Sequence, residues 1–208
     1  DPQGYINMYR KVVDMFRALG ATNARFVWSP DHASPPEVPA PASEIKNYFP
    51  GAGYVDFIGV SGYNWGNDPL RGGGWVTPEQ IFGNFLNMML REFPGKPVLI
   101  TEIGSVPGYA NNSRSTWYTD TFNFLAQRKD LKGIVWFNDF AFASTAQADF
   151  RITNTPGLPA VDAAETALVR GLIAGYRGTR DVGAYVTVSE FYAPSLDHYF
   201  RTAVPEEA

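Results

Sequence analysis

Cysteine is missing from all 208 residues, which excludes a disulfide framework or a thiolate metal site and leaves the compartment open. Histidine is almost missing: His32 and His198 stand far apart, so neither a Ser-His-Asp triad nor a histidine-rich metal site is expected, and no metal or cofactor is called for. An excess of basic charge is lacking too. The formal net charge is −4, with a sequence pI near 5.2, which argues against the basic face that nucleic acid requires. No apolar run reaches the length that spans a membrane. Nothing calls for an obligate protein partner.

What is present is apolar and aromatic. At 45% hydrophobic residues, the chain can bury a substantial core, and one domain with a small appendage is the natural division. Aromatic residues make up 15%, a high share, and Trp and Tyr near strand ends suit faces that stack on rings.

The chain is organised around Lys96-Pro97-Val98-Leu99-Ile100-Thr101-Glu102-Ile103-Gly104-Ser105. Three apolar residues between a proline and a polar pair read as a short strand buried on both faces. A single carboxylate, Glu102, ends it, followed by a glycine-containing turn. A charge there is costly unless something nearby uses or compensates it. In a (β/α) barrel that end of a strand displays catalytic groups. A helix cap or an arginine partner is the structural alternative.

Before it, Asp1-Pro2 reads as an N-cap and N1 pair, Tyr5, Ile6, Tyr9, Val12, Val13, Phe16 and Leu19 repeat at helical spacing, and Gly20 closes the helix. A strand over 24–28 ends on Trp28-Ser29-Pro30, and a Pro/Ala-rich loop follows from Asp31 to Ser43. A strand over 54–60 leads into Gly62-Tyr63-Asn64-Trp65. Thr77-Pro78-Glu79-Gln80 opens a helix with a capping box, whose stripe is Ile81, Phe82, Phe85, Met88, Met89 and Phe93. After Glu102, a helix carries Trp117, Phe122 and Leu125 inward, and a strand over 132–137 ends on Trp136-Phe137-Asn138. A loop with Asp149-Phe150-Arg151 leads to a helix from Pro159 to about Ile173. This alternation predicts parallel βαβ units, with all four strand ends facing one rim. One carboxylate then lies among Trp and Tyr side chains. Such a pocket suits glycoside chemistry, in which an anion stands beside an oxocarbenium-like transition state, although aromatics capping a barrel core would look similar.

Six segments together resemble glycoside hydrolase family 26, the β-mannanase family of the large (β/α)8 glycosidase clan. They are Tyr5 to Arg10, Phe26-Val27-Trp28-Ser29-Pro30, Tyr54-Val55-Asp56-Phe57-Ile58-Gly59, Gly62-Tyr63, Ile100-Thr101-Glu102-Ile103-Gly104 and Val135-Trp136-Phe137-Asn138, in family order over roughly residues 3–172. The resemblance implies that the four strands are strands five to eight of a TIM barrel. It implies that Glu102 is the nucleophile of a retaining cleavage of β-1,4-mannan or a related β-glycan. Tyr63 would orient that nucleophile, and Trp136 would floor the subsite of the attacked sugar. Trp28, Trp65, Asn138 and Asp149 would be further sugar contacts, and the substrate would be a polysaccharide or oligosaccharide met outside the cell or in the periplasm.

The family's acid/base glutamate, in a motif like His-Glu-Met-Asn, has no counterpart here, and Glu37, Glu44 and Glu79 are poorly placed substitutes. The expectation is therefore that Asp1 begins just after that motif. A carbohydrate-binding relative that no longer cleaves, or a clan member acting on β-glucan or xylan, remains the alternative. The expected divisions are a partial barrel over 1–174, a linker over 175–183, and the start of a small aromatic module over 184–208, with His198 an ordinary module residue.

Overall fold

The computed structural model describes residues 1–30, 33–34, 38–39, 42–66, 74–108, 111–143, 146–154, 157–178, 189–193 and 198–202. The chain divides into two compact units, Asp1–Ile173 and Ala174–Ala208.

The first unit opens with α1 (Pro2–Ala18). Asp1 caps it, its carboxylate accepting from the Gly4 N–H at 2.9 Å, and Gly20 leaves it in the left-handed region at φ 75°. Of the apolar repeat along α1, only Val13 is fully buried, whereas Val12, Phe16 and Leu19 are exposed, as are Met8 and Met15. Then come β1 (Val27–Trp28), a small antiparallel pair β2 (Ala33–Ser34) and β3 (Val38–Pro39), and α2 (Ala42–Lys46). The expected Pro/Ala-rich loop thus contains a strand pair, with residues 31–32, 35–37 and 40–41 outside the described ones.

The core follows: β4 (Phe57–Asn64), α3 (Pro78–Glu92), β5 (Val98–Ser105), α4 (Arg114–Gln127) and β6 (Leu131–Trp136). The sheet order is β1-β4-β5-β6, and every pair is parallel. Helices between successive parallel strands make this an α/β fold, part of a (β/α) TIM barrel. The capping box at α3 is present on both sides, Thr77 with Gln80, and Ile81, Phe82, Phe85, Met89 and Phe93 are buried beneath it. Beyond β6 lie β7 (Phe140–Ala143) and β8 (Ala146–Asp149), an antiparallel pair, and α5 (Ala163–Gly178).

In the second unit, β9 (Ser189–Ala193) and β10 (His198–Thr202) form an antiparallel hairpin in which His198 pairs with Ala193. Residues 179–188, which hold most of the expected linker and the start of the expected module strand, lie outside the described residues.

The two faces of the four-stranded sheet differ. Trp28, Ile58, Val98, Val60 and Ile100 stand on one face and are all essentially buried. Trp28 packs edge-on against Phe49 and Phe93, with ring centres 5.1 Å apart in both cases. The opposite face carries Ser29, Gly59, Ser61, Leu99 and Thr101, most of them half-exposed. β5 is therefore covered by helices on one face and open on the other, in contrast to the expectation of burial on both.

Candidate active site

Strict alternation along β5 would place Glu102 beside Val98 and Ile100, on the buried face. It does not lie there. Val60 pairs with Ile100, but Ser61 pairs with Glu102, so Thr101 is an extra residue on β5. The other neighbour sees the same irregularity, since Ile100 pairs with Ile134 and Ile103 with Trp136. This β-bulge switches the parity of the strand and turns Glu102 to the open face. The side chain of Glu102 is exposed, while Ile103 and Ser105 take over the buried positions. β5 also runs on through Gly104, which replaces the turn expected after Glu102.

Tyr63 stands on the same open face, paired with Gly104 near the end of β4. β4 runs on to Asn64, four residues past the expected end, and so carries Tyr63 on a strand. The Tyr63 hydroxyl donates to Glu102 Oε2. Among the described residues Glu102 Oε1 accepts no hydrogen bond, which leaves one carboxylate oxygen to approach a ligand.

Three more rings surround Tyr63. Trp65 lies 5.4 Å away, Phe150 5.1 Å and Phe137 5.6 Å, centre to centre, and Trp65 meets Phe150 edge-on at 4.9 Å. Phe150 is fully buried and needs Gly104, where an added Cβ would sit 2.9 Å from its ring. Asn64, itself buried, sets the Trp65 segment: its Oδ1 accepts from the Gly66 and Val76 N–H groups, at 3.2 and 3.1 Å, and its amide donates to Ser105 Oγ at 2.9 Å. Nothing in the sequence marks Phe137, Phe150 and Asn64 as site residues, although alternation along β6 gives Phe137 the face opposite Trp136.

Of the residues expected here, Glu102, Tyr63 and Trp65 come together, and four do not. Trp28 is 2% exposed in the core, because its register with Ile58 gives it the helix-covered face. Trp136 pairs with Ile103 on that same buried face, where it packs against Tyr118 and Trp117 of α4 at 5.2 and 6.1 Å. It therefore stands near the same strand ends as Glu102, but across the sheet. Asn138 is used by the backbone: its Oδ1 accepts from Ile152 and Thr153, and its amide donates to Thr153 Oγ1. Asp149 faces the buried Arg151, which donates to both carboxylate oxygens, at 2.9 and 2.7 Å. Burial pushes the Asp149 carboxyl up, but the hydrogen bonds and charge of Arg151, with Arg114 behind, outweigh it and hold it below its ordinary value. Arg114 in turn bonds the Asp149 carbonyl and the Glu165 carboxylate. These two acidic groups are occupied by arginine. Glu44 and Glu79 lie in the first turns of α2 and α3, and Glu37 is outside the described residues. Among the described residues no cluster of three metal-ligating side chains occurs, and no helix is long and apolar enough to cross a membrane.

No family model matches the chain. Endoglucanase H of Acetivibrio thermocellus is 31% identical over 153 residues, 73% of this chain and 16% of that protein. An endo-β-1,4-mannanase of Cellulomonas fimi, solved as a double mutant, superimposes with a TM-score of 0.53 at 19% identity, covering 91% of this chain and 42% of that one. The protein GH26C of Muricauda sp. MAR_2010_75 gives 0.52 at 22% identity, covering 82% and 42%. Fold likeness at a similar level extends to β-1,3-glucanases of family 128. The chain thus spans about one sixth of its curated relative and less than half of these two glycosidase structures. With its parallel sheet, its helices and these neighbours, the chain carries part of the (β/α)-barrel fold of glycoside hydrolase family 26.

Proposed function

We propose that the open face around Glu102 is half of the active centre of a retaining glycosidase that cleaves β-1,4-mannan or a related β-glycan within the chain. The observation that carries this reading is the bulge that takes Glu102 off the apolar face and sets it under the Tyr63 hydroxyl, beside four aromatic rings. In a retaining reaction one carboxylate attacks the anomeric carbon, and a second protonates the departing oxygen and later activates water. Glu102 suits the first role through Oε1, which is unshared among the described residues. Tyr63, donating to Oε2, fixes the carboxylate plane, and its hydrogen bond weakens as Oε1 bonds the anomeric carbon and Oε2 becomes the carbonyl oxygen of the glycosyl ester. Trp65 is the ring best placed to stack on a sugar. The second carboxylate is proposed to come from elsewhere in the full-length polypeptide, since this chain spans only 42% of the two glycosidase structures. A secreted setting, outside the cell or in the periplasm, fits a polymeric substrate.

The test is reducing-sugar release from mannan, mixed-linkage glucan and xylan by the full-length protein and its Glu102→Ala variant. Mannan cleavage that disappears with Glu102 supports the reading. Undiminished cleavage by the variant rejects it. A second substrate assignment, a β-glucan, is favoured by the name of the 31% identical relative, an endoglucanase, and glucan release without mannan release would select it.

A further inference from the structure

Three positions on the open face, from β5, from β4 and from the residue that follows β1, meet beside the residue that precedes Glu102. Ser29 follows β1, Gly59 lies in β4, and Thr101 is the extra residue of the β5 bulge. The Thr101 hydroxyl donates to the Val60 carbonyl at 3.1 Å, at the step where the register shifts. Its single proton is used there, so in the bond between Ser29 Oγ and Thr101 Oγ1 the serine is the donor. Ser29 and Thr101 can touch across the intervening strand only because position 59 has no side chain. A Cβ on Gly59 would lie 2.6 Å from the Ser29 Cβ and 2.7 Å from the Thr101 Cγ2.

We infer that Ser29, Gly59 and Thr101 form a brace that locks the β5 bulge and so positions Glu102 for attack. The inference rests on the nucleophile reading of Glu102. The physical argument is one of alternatives. Without the bulge, Glu102 would occupy the face of Val98 and Ile100, among side chains that are 1% and 0% exposed. A bulge leaves the ladder irregular, and a hydroxyl that bonds the backbone at the step selects the bulged register over the regular one. Thr101 and Ser29 are positioning residues, because they act through the backbone that carries Glu102. Gly59 is the opening that lets them meet.

The test isolates nucleophilic attack. A 2,4-dinitrophenyl 2-deoxy-2-fluoro-β-glycoside of mannobiose or cellobiose is incubated with the full-length protein. In that reaction a Glu102 oxygen bonds to the anomeric carbon while the C–O bond to dinitrophenolate breaks, and the phenolate leaves with the electron pair and needs no general acid. Peptide mass spectrometry locates the label, and inactivation kinetics separate the binding constant from the rate constant. In wild type the label should fall on Glu102. Thr101→Val should lower the inactivation rate constant about 10- to 100-fold with binding changed by about twofold or less, and Thr101→Ser should recover most of the rate. Ser29→Ala, which keeps the bond from Thr101 to Val60, should cost about three- to tenfold and serves where Thr101→Val does not fold. Labelling of Glu102 at the wild-type rate in either variant overturns the brace while leaving the nucleophile in place. A wild-type label on any other residue overturns the nucleophile reading, and the brace with it.

Discussion

The two faces of the sheet at the end of β5 make opposite use of the same residue types. On the helix-covered face, two tryptophans serve as packing: Trp28 against Phe49 and Phe93, and Trp136 against Tyr118 and Trp117. On the open face, Trp65 stands beside Tyr63, whose hydroxyl reaches an exposed carboxylate. The carboxylates divide in the same manner. Asp149 is bonded to a buried arginine through both oxygens, while Glu102 keeps one oxygen unbonded among the described residues. A residue's type and its place near a strand end therefore do not make it part of a site. The face it takes does, and on β5 that is decided by one inserted residue.

The strongest way to break this contrast is to remove the exposed carboxylate. Glu102→Ala in the full-length protein should lower turnover by roughly a thousandfold or more, as expected when a covalent nucleophile is lost. Stability should shift by only about 0.5 kcal/mol, since the side chain is exposed and packs little. Sugar-release kinetics and thermal unfolding on the same samples check both halves.

The opposite result is expected for the other acidic group. Arg151 is fully buried and its partner Asp149 mostly so. Arg151→Met leaves that carboxylate without its counter-charge and should destabilise the fold by roughly 3–5 kcal/mol, measured by urea unfolding. The pH dependence has a defined sign. A carboxyl held below its ordinary value of 3.8 in the fold contributes stability that is present above that value and lost as pH falls through the folded value. Asp149→Asn should therefore remove part of the acid limb of the stability curve below about pH 4 and leave a uniformly less stable protein above it. An unchanged acid limb would show that the pair contributes nothing to folding.

Tyr63→Phe removes one hydrogen bond to a charged oxygen and leaves the rings in place. A loss of about 10- to 100-fold in turnover corresponds to the roughly 1.5–3 kcal/mol of such a bond. An effect equal to that of Glu102→Ala would assign Tyr63 a larger part in the chemistry than orientation.

How much of this was legible in the sequence follows from the physics of each signal. Helix starts were readable because caps are local: Asp1-Pro2 and Thr77 to Gln80 stand where expected. The four parallel strands were readable from apolar runs alternating with helical repeats, although β4 and β5 extend about three to four residues beyond their expected ends. The Glu102–Tyr63 pair came from the resemblance, and the geometry places the two in contact. Facing was not legible. Val-Leu-Ile-Thr-Glu-Ile-Gly-Ser looks like uninterrupted strand, and nothing local marks Thr101 as an insertion. The pairings of Arg151 with Asp149, and of Asn138 with residues 152 and 153, depend on how one loop closes. The four aromatic rings likewise gather over Gly104 from β4, the segments after it and after β6, and the loop that follows.

The smallest expected effect is also the sharpest test of facing. Trp136 and Glu102 lie near the same end of the sheet, and the resemblance implies a sugar floor at Trp136. The register with Ile103 and the contacts with Trp117 and Tyr118 give it the helix side instead. Its indole N–H is buried and has no hydrogen-bond partner among the described residues. Replacing it by Phe therefore keeps an aromatic ring against α4 and deletes an unpaired donor, so two terms oppose each other. Lost ring area destabilises, and removing a buried unsatisfied group restores about 1–3 kcal/mol. The net change in stability should stay within about 1 kcal/mol. Because the ring faces α4, KM for the polysaccharide should change by less than about twofold, whereas loss of a stacking platform would cost about 0.5–1.5 kcal/mol, or up to roughly tenfold. Trp65→Ala serves as the internal contrast, with a rise in KM expected from the ring that does share the face of Glu102. A large KM effect at Trp136 and none at Trp65 would reverse the assignment of the two faces.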